Sequence, residues 1–146
     1  MFDLGQYLPY LVNRTGMRLA VNFARDIRPM GVTLQEWRVL AALAAHGSQR
    51  LSDLAGLTSI ELSTSSRLVS RMVRDGLVRR IRADGDKRER RVVLTAKGLR
   101  TTHAIIPTAR RYERLALAGL RAAEGRALKR LLVRVYANLD RLAGGA

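Results

Sequence analysis

The chain has 146 residues and a mass of 16.3 kDa, with 27 Lys+Arg against 12 Asp+Glu, a net charge of +15 and a pI of about 11.6. That length suits one domain, or one small domain with an oligomerisation element, and a folded chain so basic calls for a polyanionic partner such as nucleic acid or an anionic membrane. The absence of cysteine excludes disulfides, thiolate catalysis and Cys-based zinc sites.

No apolar run approaches the ~18 residues that span a bilayer. The start, Met1-Phe2-Asp3-Leu4-Gly5, lacks a basic n-region and an apolar h-region, so a cytoplasmic protein is expected.

The first 30 residues are expected to be helical. Pro9 sits in the first turn, Leu11, Leu19, Phe23 and Ile27 keep near-helical spacing, and Pro29 with Gly31 ends the run. Thr33-Leu34-Gln35-Glu36 predicts a capping box. Trp37, Leu40, Ala41 and Ala44 then follow as an apolar face, and Gly47 supplies the stop. A short third helix opens at Ser52 and ends near Thr58. A fourth begins between Ser59 and Leu62 and runs to Gly76.

Beyond Gly76 the period changes. Residues 77–82 and 90–94 are β-branched-rich runs around Ala83-Asp84-Gly85-Asp86, which predicts a hairpin. Thr95 caps a long fifth helix that Pro107 should kink, or split near residues 103–106. Gly119 to Arg121 breaks the chain, and a last helix runs from about Ala123 to Leu142. Three short helices followed by a hairpin make a winged helix-turn-helix. The fold class expected is therefore mainly α with a small β-hairpin wing, flanked by N- and C-terminal helices.

The charge is concentrated. Between Arg67 and Arg91, 25 positions hold ten of the 27 basic residues and only Asp75, Asp84, Asp86 and Glu89 among acids. On the fourth helix Leu62, Ser65, Val69, Met72 and Val73 should face inward. Ser63, Thr64, Arg67, Ser70, Arg71 and Arg74 should face outward, with Ser66 in the same stretch. Short hydroxyls interleaved with arginine suit a helix in the major groove; an ordinary solvated face is the alternative. The hairpin adds Lys87, Arg88 and Arg90 at its tip and strands. A membrane surface would need these charges opposite an apolar helical face. A single-strand stacking platform would need aromatics, and residues 38–111 contain no Phe, Tyr or Trp. Double-stranded DNA is the expected partner, with the wing in the minor groove.

Leu51-Ser52-Asp53-Leu54-Ala55, the run Arg74-Asp75-Gly76-Leu77-Val78-Arg79-Arg80, and Asp86-Lys87-Arg88 followed by Leu94-Thr95-Ala96-Lys97-Gly98 resemble the MarR family of bacterial transcription regulators. Asp-x-Arg before Leu-Thr-x-x-Gly is the most specific part, and the likeness runs through the final helix at Leu128, Leu131, Leu132 and Leu139. The resemblance implies a homodimer on a pseudo-palindromic operator, released by a small effector. Asp86 would hold the wing, Arg88 would enter the minor groove, and Ser63 to Arg71 would form the reading helix. Gly125 departs from the family's usual acidic residue there, at an expected local cost in helix stability.

Leu128, Leu131, Leu132, Val135, Leu139 and Leu142 form a near-heptad stripe, and Leu4, Leu8 and Leu11 another. A winged helix over residues 33–99 cannot cover both, so residues 1–32 and 100–146 are expected to dimerise. An effector cleft would lie between the first, second and fifth helices. Its candidates are Tyr7, Tyr10, Asn13, Arg14, Met17, Arg18, Trp37, Arg38, His103 and Arg110, with Pro107 and Arg111 beside them. Trp37 reads as core ahead of ligand wall, and His103, beside Pro107, as structural ahead of ligand-binding. Tyr7 to Arg14, Ile105 to Glu113 and Val135 to Leu139 resemble MarR-type regulators that sense hydroxycinnamoyl-CoA thioesters in aromatic-acid catabolism. An aryl group needs an apolar slot beside Tyr or Trp, and CoA phosphates need arginine. An aromatic carboxylate is the simpler alternative.

No P-loop, G-x-G, H-E-x-x-H or G-x-S-x-G motif is present, so neither an enzyme nor a cofactor is expected. Asp84-Gly85-Asp86 reads as a turn rather than a calcium loop, because the arginines around it would repel the ion. The competing readings are a basic RNA- or ribosome-associated protein and an architectural DNA-binding protein without an effector.

Overall fold

A computed structural model describes residues 1–83 and 85–143, without the side chains of Asp86, Lys87 and Ala143. A 3-10 turn, Leu4–Gln6, precedes α1 (Leu8–Ile27), whose first turn holds Pro9; a second 3-10 turn, Arg28–Met30, follows it. Then come α2 (Leu34–His46), α3 (Leu51–Thr58), α4 (Leu62–Arg74), β1 (Val78–Ala83), β2 (Asp86–Leu94), α5 (Ala96–Ala116) and α6 (Ala122–Ala143). Mainly helical architecture with one antiparallel hairpin is what the sequence predicted. None of the described helices is long and apolar enough to cross a membrane. Residues Met1–Tyr112 and Glu113–Ala146 form two compact units.

The core of the first unit gathers α1 through Phe23 and Ile27, α2 through Val39, Leu40 and Leu43, and α3 through Leu54. Leu68, Val69 and Met72 of α4 join them with Val78 and Val92 of the hairpin and Ile105 of α5. Burying a Leu or Ile side chain of this kind contributes about 1.5–3 kcal/mol. The Thr33–Glu36 capping box forms as expected, with the Thr33 amide donating to Glu36 Oε2 at 2.8 Å and the Glu36 amide to Thr33 Oγ1 at 3.3 Å. Among the described residues no buried side-chain polar atom lacks a partner.

Three expectations need correction. On α2 the inward face is Val39, Leu40 and Leu43, whereas Ala44 is exposed and Trp37 and Ala41 are half-buried. The small alanines allowed a face to be drawn one position off, and the bulky β-branched and γ-branched residues decided it. On α4 Leu62 is 50% exposed and Leu68 is buried. Leu62 is the first residue of the helix, before the turn that meets the core. Of the two outcomes expected at Pro107, a kink or a split, the split does not occur: α5 runs unbroken over 21 residues.

The hairpin pairs Val78 with Leu94 through Arg82 with Arg90, with a register shift before Ala83 and Asp86. Its base is fixed twice. Gln49 exchanges both backbone hydrogen bonds with Val92, at 3.1 and 2.8 Å. At the other edge Thr95 caps α5: its Oγ1 accepts from the Gly98 amide at 3.0 Å and donates to the carbonyl of Gly76 at 2.6 Å. Gly76 itself has φ +72°, the left-handed turn that ends α4. In the second unit, Glu124 Oε2 accepts from the Arg121 amide at 2.7 Å and opens α6, and Lys129 pairs with Glu113. The α6 stripe is solvent-facing: Leu131 is 49% exposed and Leu139 60%.

Candidate nucleic-acid interface

The outward face of α4 and the hairpin belong to one unit, and a direct contact joins them: Arg80 Nη2 on β1 donates to Ser70 Oγ on α4 at 2.9 Å. Arg67 and Arg74 on α4, Arg79 and Arg82 on β1, and Arg88 and Arg90 on β2 are exposed. The arginines singled out in the sequence are therefore exposed on both α4 and the hairpin, and Arg80 joins the two elements at Ser70. Asp86 and Lys87, named as wing residues, have side chains outside the described residues. Asp84, at the tip, lies outside them altogether.

Several of the predicted DNA contacts already have protein partners. Glu61 caps α4: its Oε1 accepts from the Ser63 amide at 3.0 Å and its Oε2 from the Thr64 amide at 3.0 Å. The Ser63 hydroxyl also donates to Glu61 Oε2. The Ser63 hydroxyl, followed by these two backbone amides, pulls the Glu61 carboxyl down to about 2. Arg71 Nε donates to Oε1 of the buried Glu36 at 3.3 Å, tying α4 to the start of α2. Ser66 is half-buried and Arg67 fully outward. The sequence reading missed Glu61 because it looked for hydroxyls and cations; an acidic residue two positions ahead of Ser63 was the available signal.

A second missed cluster stiffens the wing. Glu89 on β2 accepts from Arg50 Nη2 and from Arg91 Nε, each at 2.7 Å. Arg91 also donates to the carbonyl of Ser48 at 3.3 Å. The hydrogen bond from Arg50, then that from Arg91, lowers the Glu89 carboxyl to about 2. Residues 39 apart in sequence make this link, so no local spacing announces it.

Two grooves take up some of the ligand candidates. Trp37 and Arg38 line an open groove of about 520 Å³ between α2 and the end of α3. Pro107 and Arg111 line another, of about 630 Å³, with Arg25, Asp26, Pro29 and Thr108. Tyr7, Tyr10, Asn13, Arg14, Met17, Arg18, His103 and Arg110 line neither. Tyr7 stacks edge-on against Phe2, and Arg14 donates to Tyr10 Oη at 3.0 Å while lying over its ring. Met17, Arg18, Arg38, His103 and Arg110 are exposed.

Asp26 and Tyr112 were not anticipated. Asp26 accepts from Tyr112 Oη at 2.7 Å, Arg111 Nη2 at 2.5 Å and Arg25 Nε at 3.1 Å. The hydrogen bond from Tyr112, then that from Arg25, lowers the Asp26 carboxyl below the usual range, and the same bond to Asp26 raises the Tyr112 phenol. Phe23 bridges Tyr112 and Trp37, with ring centroids 5.6 and 5.8 Å away. An aromatic wall thus stands behind an Asp–Arg cluster.

Among the described residues no group of three or more His, Asp or Glu could hold a metal ion. The profile of the MarR family matches residues 30–89. Over 133 residues the chain is 29% identical to the HTH-type transcriptional repressor IacR of Pseudomonas putida, covering 91% of this chain and 80% of that one. It is 34% identical over 80 residues to the homoprotocatechuate degradative operon repressor of Escherichia coli, 54% of each chain. The crystal structure of a MarR family transcriptional regulator from Silicibacter pomeroyi DSS-3 superposes with a TM-score of 0.78 at 32% identity, covering 93% of this chain and 99% of that one. With its helix-turn-helix, arginine-rich wing and likeness along nearly its whole length, the chain belongs to the MarR family of transcription regulators.

Proposed function

We propose that the protein is a dimeric repressor that holds a pseudo-palindromic operator in double-stranded DNA and is released by a small aromatic ligand. The observation that carries the DNA reading is the set of exposed arginines on α4 and the hairpin, two elements joined at Arg80 and Ser70. In this reading α4 enters the major groove with Ser66 and Arg67, and Arg88 leads the wing into the minor groove. Arg74, Arg79, Arg82 and Arg90 hold phosphates, with Lys87 assigned there from sequence. Residues 33–99 form the DNA-binding part.

Exposed apolar side chains support a second copy: Leu8 (50%) and Leu11 (42%) on α1, and the α6 stripe. So extended an apolar surface is unusual on a monomer. The dimerising segments are taken to be 1–32 and 100–146. The name of the P. putida relative supports repression, and that of the E. coli relative supports an aromatic ligand. The ligand class is an aryl-CoA thioester or an aromatic carboxylate. The groove lined by Arg25, Asp26 and Arg111 supports this reading only by exchange: an anionic ligand would take over the two arginines from Asp26, whose carboxylate they and Tyr112 now hold.

Selection from randomised duplexes, followed by footprinting, tests the DNA reading. Two protected half-sites roughly 10 bp apart centre to centre are expected, and log K should fall by about 0.9 per phosphate contact against log salt. Unselective binding, or a monomer in sedimentation at micromolar concentration, refutes it. Calorimetry with aryl acids and their CoA thioesters tests the ligand. Complete release, from 1:99 to 99:1, requires about 5.5 kcal/mol of preference for the non-binding state. Binding no tighter than millimolar by every member removes the aromatic effector and leaves the DNA reading standing.

A further inference from the structure

The hairpin ladder changes register near its tip, where Arg82 pairs with Arg90 but Ala83 pairs with Asp86. β1 runs directly from Arg82 to Ala83, whereas β2 has Lys87, Arg88 and Glu89 between Asp86 and Arg90. Those extra residues make a bulge, which disrupts the ladder locally and re-aims the side chains it carries. Arg88, the residue assigned to the minor groove, stands exposed in it. Pairing with β1 sets no register there, so another contact must hold the backbone from which Arg88 projects.

Glu89 makes that contact. It is the residue bonded directly to Arg88, and its side chain is only 18% exposed. Its Oε2 accepts from Arg50 Nη2 and its Oε1 from Arg91 Nε, each at 2.7 Å. Arg50 is the N-cap residue of α3, the first helix of the helix-turn-helix. Arg91 reaches on to the carbonyl of Ser48, and Gln49 exchanges two backbone bonds with Val92. The bulge is therefore clamped to a segment, residues 48–50, that the backbone already fastens to β2. Both carboxylate oxygens sit on guanidinium groups, and such charge-assisted bonds are roughly twice as strong as neutral ones. On the other strand Arg80 ties β1 to Ser70 of α4.

Resting on the proposed DNA-binding reading, we infer that Glu89 is a positioning residue for the minor-groove contact: by clamping the bulge to Arg50 at the start of α3, it sets the direction in which Arg88 enters the groove. Glu89 acts through Arg88, and its loss costs selectivity in the minor groove rather than grip on phosphate. Electrostatics alone predicts the opposite sign. Removing a negative charge from a protein that binds a polyanion tightens binding. A weakening on Glu89→Gln therefore cannot come from net charge. The amide keeps an oxygen for one arginine and sets a donor against the other.

The experiment compares full-length wild type, E89Q, R88A and the double variant R88A/E89Q at neutral pH on duplexes selected by the wild type. Circular dichroism checks folding. Each duplex is also made with 2-aminoadenine in place of single adenines, which adds an amine in the minor groove and leaves the major-groove edge unchanged. Wild-type affinity should fall at the positions the wing covers, and E89Q and R88A should both lose that response. On the unmodified duplex E89Q should bind about twofold or more weaker than wild type, as expected for coupled neighbours. In the R88A background the same change should cost nothing. A merely loosened fold would weaken every duplex alike, with or without Arg88. If folded E89Q keeps the wild-type response to 2-aminoadenine, weakens binding equally in both backgrounds, or tightens it on the unmodified duplex, the inference is overturned while the DNA reading stands. If the wild type responds to 2-aminoadenine at no position, the inference falls together with the minor-groove assignment of the wing. If the wild type selects no sequence at all, the DNA reading falls as well.

Discussion

Gly98 closes the Leu-Thr-x-x-Gly run, and the structure shows why a side chain there is excluded. A Cβ built on Gly98 would lie 2.0 Å from the carbonyl oxygen of Leu77 and 3.0 Å from its carbon. The obstacle is backbone, so no rotamer change relieves it. That same oxygen accepts from the Thr95 amide at 3.1 Å and takes the longer branch, also 3.1 Å, of the Thr95 hydroxyl bond shared with Gly76, which ties the hairpin base to the start of α5. Making room for a methyl requires more than an ångström of separation and breaks both bonds. Overpacking costs about 1–3 kcal/mol, and each lost hydrogen bond about 0.5–1.5 kcal/mol. Against this, Ala is favoured over Gly within a helix by about 1 kcal/mol. The expected net loss for Gly98→Ala is about 3 kcal/mol, or roughly 10 °C in Tm for a chain of this size. Urea denaturation and a thermal scan at fixed protomer concentration measure it, since oligomerisation makes both concentration-dependent. A loss below about 1 kcal/mol would refute the close approach of α5 to Leu77.

Gly125 is the opposite case: its added Cβ would meet only Leu117 side-chain atoms at 3.6 and 3.8 Å, ordinary contact, so Gly125→Ala should stabilise by about 0.5–1 kcal/mol in the same urea assay. Arg88→Ala should weaken operator binding by about 1–3 kcal/mol in anisotropy titrations while leaving the circular dichroism spectrum unchanged. The carboxyl of Glu89, lowered to about 2 in the folded wing by Arg50 and Arg91, favours the folded form above its unfolded value of about 4.3. That contribution is lost as pH falls from there toward 2, so Glu89→Gln should flatten the acid limb of the stability profile between about pH 4.5 and 2. Glu36→Ala removes both the second half of the capping box and the tie to Arg71, and should cost about 1–2 kcal/mol in urea.

Most of the fold is written locally in the sequence. Thr33 and Glu36 lie three positions apart, Gly76 stops α4 in the left-handed region, and β-branched runs flank the turn at Gly85; each is decided by nearest neighbours. The α2 face went wrong at Ala41 and Ala44 because alanine is indifferent to burial, so periodicity alone could not choose between adjacent stripes. Pro107 leaves α5 as one continuous helix. A proline in a helix forfeits one backbone hydrogen bond, and the neighbouring turns continue on either side.

The candidate site was half legible, and the division follows the range of the forces. Arginine between Arg67 and Arg91 is visible as composition, because a long-range field needs only the sum of charges in a region. Which of those groups remain available to a partner depends on contacts of about 3 Å: Arg71 on Glu36, Arg80 on Ser70, and Arg91 on a Glu89 that Arg50, from a distant part of the chain, also holds. Those contacts sort the basic surface into two populations. Arg71 and Arg91, each paired with a carboxylate, hold α4 and the wing at fixed positions. The exposed Arg67, Arg74, Arg79 and Arg82 project from the scaffold thus fixed. A phosphate can be gripped by any flexible cation, but reading one base edge requires a helix held to within about 0.5 Å. Acidic residues few enough to be overlooked in a chain of net charge +15 therefore set the positions from which the exposed arginines project. Counting charge points to the class of that partner, and the placement of Glu36, Glu61 and Glu89 fixes the scaffold from which the exposed arginines project.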